Sequence, residues 1–218
     1  MTAFPRLVVV PPSTDRATYL VRRFYPQPGD DKSGHPLIAV ATGFAAGGGL
    51  ELQKLAGLTP GDARSIVATA TRHVADGPRD WMVSEKAGLI FKKPSLLRGM
   101  GDTTVPATTM ATDGMGLDDL STDLILDEMF MQKAGELLGG QELIAAIPKR
   151  GWLMVGRCQP GQLPVMIKFG QIADGICERG GRHALTKNCY FIKTGKLHGV
   201  SGQGYLSLIT SRDDAWNL

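Results

Sequence analysis

The order of short apolar runs and amphipathic stretches constrains this 218-residue chain more than any other feature of its sequence. Runs rich in β-branched and aromatic residues predict strands, and apolar residues repeated every three or four positions predict helices. Strands are predicted over 7–10, 17–25, 37–41, 81–84, 88–91, 143–147, 152–155, 189–192 and 206–209, and helices over 59–74, 122–138 and 163–178. Because strands and helices do not alternate one by one, the sequence predicts an α+β fold rather than a doubly wound one. We expect a single domain over 1–218, with a mainly antiparallel sheet and about three helices.

Local sequence signals mark the start of the first predicted helix and the end of the second. Thr59 can cap the first exposed amides, Pro60 suits the first helical position, and Asp62 lies near the positive end of the helix dipole. The second helix is followed by Gly139–Gly140, which is typical of a left-handed helix stop.

Two further stretches of the chain carry expectations about their arrangement. The first three strands are close together in the sequence, and we expect them to form a small antiparallel meander. Residues 94–122 show no regular pattern, and we expect a long irregular excursion there.

Glycine accounts for 28 of the 218 residues, or about 13 % against roughly 7 % in ordinary proteins. Much of it fits helix stops and turns, and the rest is concentrated in three loops over 43–49, 99–116 and 199–204. The first loop follows a strand, so its amides at Gly47, Gly48 and Gly49 are candidates for binding a phosphate or another small ligand. Its spacing matches neither the P-loop nor the dinucleotide-binding pattern, so a tightly packed turn is the alternative.

The third glycine-rich loop contains a serine with glycines around it. The nucleophile-elbow pattern would require glycine at position 203, where this chain has Gln203. His183 and His198 lie nearby in the sequence, so a Ser–His site built on Ser201 is the hydrolase alternative. A polar surface loop is the structural alternative.

Cysteine and histidine spacing gives no metal or redox motif. Cys158, Cys177 and Cys189 are 19 and 12 residues apart, and we expect thiols in a reducing compartment. No histidine pair has metal-ligand spacing, so neither a metal nor a cofactor is predicted. The apolar run near the N-terminus is too short for a signal peptide, and we expect a cytoplasmic protein without a membrane segment.

Charge is unevenly distributed along the sequence. The net charge of +3 is too low to favour nucleic-acid binding. Residues 111–141 carry seven acidic and one basic side chain, whereas both flanks are basic. We expect a solvated acidic face, and internal pairing with the flanks or a face for a partner are the alternatives. The basic pair Lys149 and Arg150 is a candidate binding feature, with a basic hairpin turn as its alternative.

Residues 123–197 carry a recognisable progression of segments. A helix ending in Leu-Leu-Gly-Gly140 precedes Leu-Ile-Ala-Ala-Ile-Pro-Lys-Arg150 and Trp-Leu-Met-Val-Gly156, and later segments are His183-Ala-Leu-Thr186 and Thr-Gly-Lys196. This progression resembles a widespread bacterial family known only as a conserved domain of unknown function. The resemblance covers about a third of the chain, implies an α+β unit without a mechanism, and singles out Pro148, Lys149 and Arg150 as a shared surface feature.

No complete catalytic pattern is present in the sequence. The acidic segment adjoins a methionine-rich stretch, and methionine side chains form adaptable surfaces. These methionines are Met100, Met110, Met115, Met129 and Met131. We therefore expect a non-catalytic protein-interaction or regulatory module with a protein partner. A hydrolase at Ser201 and a phosphate or small-ligand binder at Gly43–Gly49 are the alternatives.

Overall fold

The structure is a computed structural model that describes residues 4–25, 34–46, 49–74, 81–84, 89–92, 95–100, 103–107, 120–158, 163–202, 205–210 and 215–218. The strands are β1 Arg6–Val10, β2 Val21–Arg23, β3 Leu37–Phe44, β4 Leu50–Leu52, β5 Trp81–Ser84, β6 Leu89–Lys92, β7 Ser95–Met100, β8 Thr103–Ala107, β9 Glu142–Ala146, β10 Met154–Arg157, β11 Cys189–Lys193, β12 Lys196–Gly202 and β13 Tyr205–Leu208. The α-helices are α1 Pro60–Val74, α2 Glu128–Leu138 and α3 Leu163–Glu178, and short 3-10 helices span Ser121–Leu126 and Gly181–His183. The predicted α+β class is confirmed.

The N-terminal sheet has the order β1-β3-β2, and β4 also pairs with β3. All of its strand pairs are antiparallel, but the expected meander order is wrong because β3 rather than β2 lies in the middle. The predicted strand over 17–25 is shortened to β2, whereas the first five residues of β3 are all buried. A continuous buried run suits a central strand, which is flanked on both sides.

The second sheet has seven strands in the order β13-β12-β11-β9-β10-β6-β5. Every adjacent pair is antiparallel, and the predicted hairpins β5–β6 and β9–β10 are confirmed. Strand β12 corrects the prediction of a loop over 199–204, because the chain stays extended through Gly202. A Cβ on Gly199 would lie 2.8 Å from both Ser207 O and Leu208 Cδ2, so glycine there permits close strand packing.

The expected irregular excursion over 94–122 is wrong where the structure describes it. Strands β7 and β8 pair as a two-stranded sheet, and a 3-10 helix begins at Ser121. Residues 108–119 of the excursion lie outside the described residues. The sequence of β8, Thr-Thr-Val-Pro-Ala, contains the β-branched residues that favour strands, but the surrounding glycines obscured that signal.

Helix boundaries follow the capping chemistry. Asp62 N donates to Thr59 Oγ1 at 3.2 Å, and Thr59 Oγ1 donates to Asp62 Oδ2 at 2.6 Å, which confirms the predicted start of α1. Helix α2 begins later than predicted because Asp127 caps it, accepting from Phe130 N at 3.1 Å. Its predicted stop is confirmed at Gly139, which has φ +71°.

Buried side chains form a central cluster between the two sheets and smaller clusters on their outer faces. Alternation along β9 directs Leu143 and Ala145 to the central cluster, where they join α1 and α2. Ile144 and Ala146 face the other way and pack against α3. The predicted methionine surface is wrong for Met131, which is fully buried in the central cluster.

The turn between β11 and β12 requires backbone conformations that side chains disfavour. Thr194 has φ +49° and Gly195 has φ +80°, as expected for a two-residue turn with positive φ at both positions. A Cβ on Gly195 would collide with the Glu128 carbonyl oxygen and lie 2.8 Å from Gln132 Cγ. Glycine at this position therefore allows the turn to pack against α2.

Gly195→Ala should be more destabilising than Gly57→Ala. Gly57 has a similar φ of +82° but no neighbour within 4 Å of its added Cβ. Gly57→Ala should therefore cost only the backbone strain, about 1–2 kcal/mol, and Gly195→Ala about 1–3 kcal/mol more because of overpacking. Urea unfolding of both variants measures the difference, and equal losses would contradict the close contact with α2.

Candidate functional site

Arg150, predicted as a surface binding residue, is instead buried in an ion pair. It is 6 % exposed, and its partner Asp123 is 0 % exposed. Arg150 Nη1 and Nη2 donate to Asp123 Oδ1 and Oδ2, each at 2.6 Å. The prediction that Arg150 is a surface feature is therefore wrong, because both ends of its guanidinium fork are engaged inside the protein.

The same ion pair also binds the backbone of β1. Val9 N donates to Asp123 Oδ1 at 2.7 Å, and Arg150 Nη1 donates to Val9 O at 2.9 Å. Burial raises the pKa of Asp123, while the charge and hydrogen bonds of Arg150 act in the opposite direction. Asp123 and Asp127 are both buried, so the expected solvated acidic face is wrong for these two residues.

Lys149 lies in a different environment from its neighbour Arg150. It is half-buried, and its Nζ lies 5.2 Å from the ring centroid of Trp152. Burial lowers the pKa of Lys149, and the charge of Arg179 lowers it further. Lys149 therefore remains a candidate binding residue.

The structure does not bring Ser201 together with either predicted histidine. Ser201 lies on β12 opposite Cys189 of β11, and His198 is an exposed residue of the same strand. His183 lies beside the β9–β10 turn, where its carbonyl accepts from Arg150 N at 2.9 Å. Two strand spacings, on the order of 10 Å, separate β12 from β9. Among the described residues, Ser201 forms no hydrogen bond with His183 or His198.

His183 instead belongs to a basic environment. Its Nε2 accepts from Arg182 Nε at 3.3 Å. Burial is the largest cause of the lowered pKa of His183, and the charges of Arg182 and Lys149 lower it further. An imidazole that is surrounded by cations favours its neutral form.

The predicted phosphate cradle at 43–49 is a hairpin turn where it is described. Strand β3 leads through Ala45 to Gly49, and Ala45 N donates to Gly49 O at 2.9 Å. Strand β4 follows directly, so the helix N-terminus that would favour an anion is replaced by a strand. Gly49 is buried with φ +101°, and Gly47 and Gly48 lie outside the described residues.

A groove that the sequence analysis did not predict lies at the end of β9 distant from the β9–β10 turn. It encloses about 220 Å³. We call it the β11–β13 groove, and it is lined by Glu142, Leu143, Cys158, Phe191, Ile192, Lys193, His198 and Leu208. In the strand register Phe191 pairs with both Ile144 and Gly199, and Gly199 pairs with Leu208. Phe191 therefore shares the sheet face of Ile144, which packs against α3, whereas Leu143 and Ile192 of the lining belong to the central cluster.

A β-bulge shapes one wall of this groove. The register of β11 and β12 shifts between Phe191 and Ile192, which leaves His198 as the extra residue of β12. Bulges redirect side chains relative to a regular strand. Neither the bulge nor the convergence of four strands leaves a local sequence signal, so the groove could not be predicted from patterns.

The rim of the β11–β13 groove is charged. Lys193 Nζ donates to Glu142 Oε1 at 2.9 Å, and this hydrogen bond and the Lys193 charge lower the pKa of Glu142. Burial raises the pKa of the Cys158 thiol, and the Glu142 charge raises it further. A nucleophilic cysteine requires the opposite shift. The groove is therefore suited to holding an apolar group.

Comparisons with known proteins add no relative to this geometry. No protein-family model, curated protein or solved structure matches the chain. The resemblance over 123–197 therefore stays a prediction. In the part of the chain that is described, no three histidine, cysteine or acidic residues are placed to hold a metal ion, and no helix is long and apolar enough to cross a membrane.

Asp123→Asn should strongly destabilise the protein. It leaves the buried Arg150 charge uncompensated, which costs about 3–5 kcal/mol. Glu136→Gln is the matched control, since it removes an exposed ion pair with Lys133 that is worth roughly 0.5 kcal/mol or less. Urea unfolding measures both variants.

A double variant, Asp123→Asn with Arg150→Gln, removes both charges and keeps an acceptor and a donor beside Val9 N and Val9 O. It should lose less stability than Asp123→Asn, because no charge is left unpaired. An equal or larger loss in the double variant would contradict this account of the ion pair.

The three thiols should react in an order set by burial. Cys158 is half-buried, whereas Cys177 and Cys189 are buried and no disulfide joins any of them. Burial raises the pKa of Cys189 to about 12, so about 10⁻⁴ of it is thiolate at pH 8. Pulse alkylation with iodoacetamide, read by peptide mass spectrometry, should label Cys158 first and Cys189 only after unfolding in urea. Native labelling of Cys189 at the unfolded rate would refute this order.

Proposed function

We propose that this protein is a non-catalytic protein-interaction module. Its partner supplies an extended segment that pairs with the outer edge of β13 and inserts a large apolar side chain into the β11–β13 groove. The main support for this proposal is the position of Leu208. It lies on an end strand of the seven-stranded sheet, lines the groove and is 48 % exposed. An end strand beside an apolar groove is the arrangement used in strand addition.

Backbone geometry supports strand addition at Leu208. Ile209 N donates to His198 O at 2.9 Å, so these two residues form a hydrogen-bonded pair of the antiparallel ladder. Such pairs alternate with non-bonded ones, which makes Gly199 and Leu208 a non-bonded pair. The amide and carbonyl of Leu208 therefore point away from β12, where a partner strand can bind them.

Side-chain geometry supports an apolar anchor. Phe191, Gly199 and Leu208 form one row across β11, β12 and β13, and the absence of a side chain at Gly199 lets the apolar Leu208 side chain lie over that position. The groove volume of about 220 Å³ exceeds the roughly 150 Å³ cavity that accepts benzene in other proteins. An aromatic or leucine side chain of the partner therefore fits.

The chemistry of the groove supports binding over catalysis. Its thiol, Cys158, has a raised pKa, and Glu142 is engaged by Lys193. Ser201 lacks the histidine hydrogen bond that a hydrolase of the predicted type needs. The polar rim instead provides His198 and the Glu142–Lys193 pair as orienting contacts for a bound segment.

Leu208→Asp should abolish binding of extended peptides that the full chain selects. Random twelve-residue peptides displayed on phage are selected on the intact protein, and fluorescence anisotropy measures the affinity of enriched sequences. Enriched peptides should carry a large apolar residue within an extended segment. Leu208→Asp should weaken them at least tenfold, since a charge would face the groove.

Ile167→Asp is the matched control because Ile167 is 51 % exposed on α3. It should leave peptide affinity unchanged, and thermal melts should show both variants folded. Modification of Cys158 with a bulky maleimide should block binding, since the thiol lines the groove. Failure to enrich any peptide, or equal sensitivity to the two substitutions, would overturn the proposal.

A further inference from the structure

A second surface, independent of the groove, lies at the opposite end of β9. We call it the basic cluster, and it consists of Lys149, Arg179, Arg182 and His183. Strand β9 is five residues long, so its length alone separates the basic cluster from the β11–β13 groove by about 13 Å.

The backbone holds the basic cluster in place from two sides. The β9–β10 turn and the Gly181–His183 helix are joined by two hydrogen bonds, Arg150 N to His183 O and Leu185 N to Pro148 O, each at 2.9 Å. Lys149 also forms an isolated bridge with Ala184. Lys149, Arg182 and His183 therefore lie on a rigid part of the fold rather than on a free loop, and Arg179 follows the end of α3 close enough for its charge to act on Lys149.

Within the described part of the chain, no carboxylate balances the positive charge of the basic cluster. Among the described residues, Lys149, Arg179 and Arg182 form no ion pair with a carboxylate. The acids at the end of α3, Asp174 and Glu178, are both bound to Lys187, at 3.0 and 2.8 Å.

The α3 helix dipole offsets little of this charge. The C-terminal end of α3 contributes about −0.5 of a charge against three cationic side chains. Burial lowers the pKa values of Lys149 and His183, and the charges of neighbouring cations lower them further. Like charges held together in this way are stabilised by a multivalent anion.

Trp152 narrows the class of anion. It is 5 % exposed, and Lys149 Nζ lies over its ring at 5.2 Å. The ring face is therefore covered, whereas nucleic-acid binding surfaces present open aromatic faces to stack bases. A compact anion without a base to stack fits this surface better than a nucleic acid.

We infer that the basic cluster is a binding site for a phosphate monoester, with Lys149, Arg179 and Arg182 contacting the phosphoryl oxygens. Arginine forks match phosphate geometry, and lysine adds a point charge. His183 supports the site indirectly, because its Nε2 accepts from Arg182 Nε. The site does not depend on peptide binding at the β11–β13 groove.

Titration of the full chain with inorganic phosphate tests the site. Isothermal titration calorimetry at constant ionic strength, balanced with chloride, should show saturable binding of one phosphate. Lys149→Ala and Arg182→Ala should each weaken it at least tenfold. Lys133→Ala and Lys168→Ala, which remove exposed lysines elsewhere, should leave it unchanged.

Thermal melts provide a second measurement, because Arg182→Gln should affect the melting temperature differently with and without phosphate. Without phosphate, Arg182→Gln should raise the melting temperature, because it relieves repulsion within the basic cluster. In saturating phosphate the wild type should gain more stability than the variant. Melting curves that respond identically to phosphate in both proteins would overturn the inference.

Separate titrations identify the carrier of the phosphoryl group. A phosphoserine peptide presents the phosphate monoester as part of a protein, and ribose 5-phosphate presents it on a small molecule. The ligand that binds with the higher affinity identifies the source of the phosphoryl group. A single-stranded oligonucleotide presents diesters only. Absence of saturable phosphate binding, or tighter binding of the oligonucleotide than of both monoesters, would refute the monoester site.

Discussion

The buried ion pair between Asp123 and Arg150 is the interaction on which the rest of the arrangement depends. Burying two charges is costly unless their remaining hydrogen-bonding groups are satisfied. Here the carboxylate and the guanidinium share two hydrogen bonds, and the amide and carbonyl of Val9 satisfy further positions. At the edge of β1, the ion pair binds the amide and carbonyl of Val9 as a neighbouring strand would. It thereby joins the N-terminal sheet to the turn of the seven-stranded sheet.

Local features follow from this connection. The 3-10 helix that carries Asp123 also carries Thr122, whose Oγ1 accepts from Trp152 N at 3.1 Å. Asp127 follows the end of this 3-10 helix and caps the start of α2. Helix α2 then packs against the tight turn at Gly195, which orients β11 and β12. The ion pair fixes one end of β9, and the α2 contact fixes the strands beside its other end. Both candidate binding surfaces thus lie at ends of the same strand.

Features encoded by neighbouring residues were predictable from the sequence, and features made by distant pairing were not. Thr59 and Gly139 revealed helix ends because caps depend on residues a few positions away. Strand β12 was missed because glycine disfavours strands locally, whereas Gly199 is needed for contact with Leu208 across the sheet. The β11–β13 groove was missed because its lining comes from separate strands and a bulge.

Lys149 and Arg150 show why adjacent residues of one chemical type can have opposite roles. Arginine suits the buried position, since its planar fork satisfies a carboxylate and a carbonyl together. Lysine offers a single ammonium, and Lys149 keeps it at the surface over Trp152. The charge of Asp123 is already matched by Arg150 inside the protein. Asp123 and Arg150 enter the core together as a neutral pair, so the core neither adds to the charge of the basic cluster nor balances it. Lys149 and its arginine neighbours therefore have no carboxylate partner among the described residues.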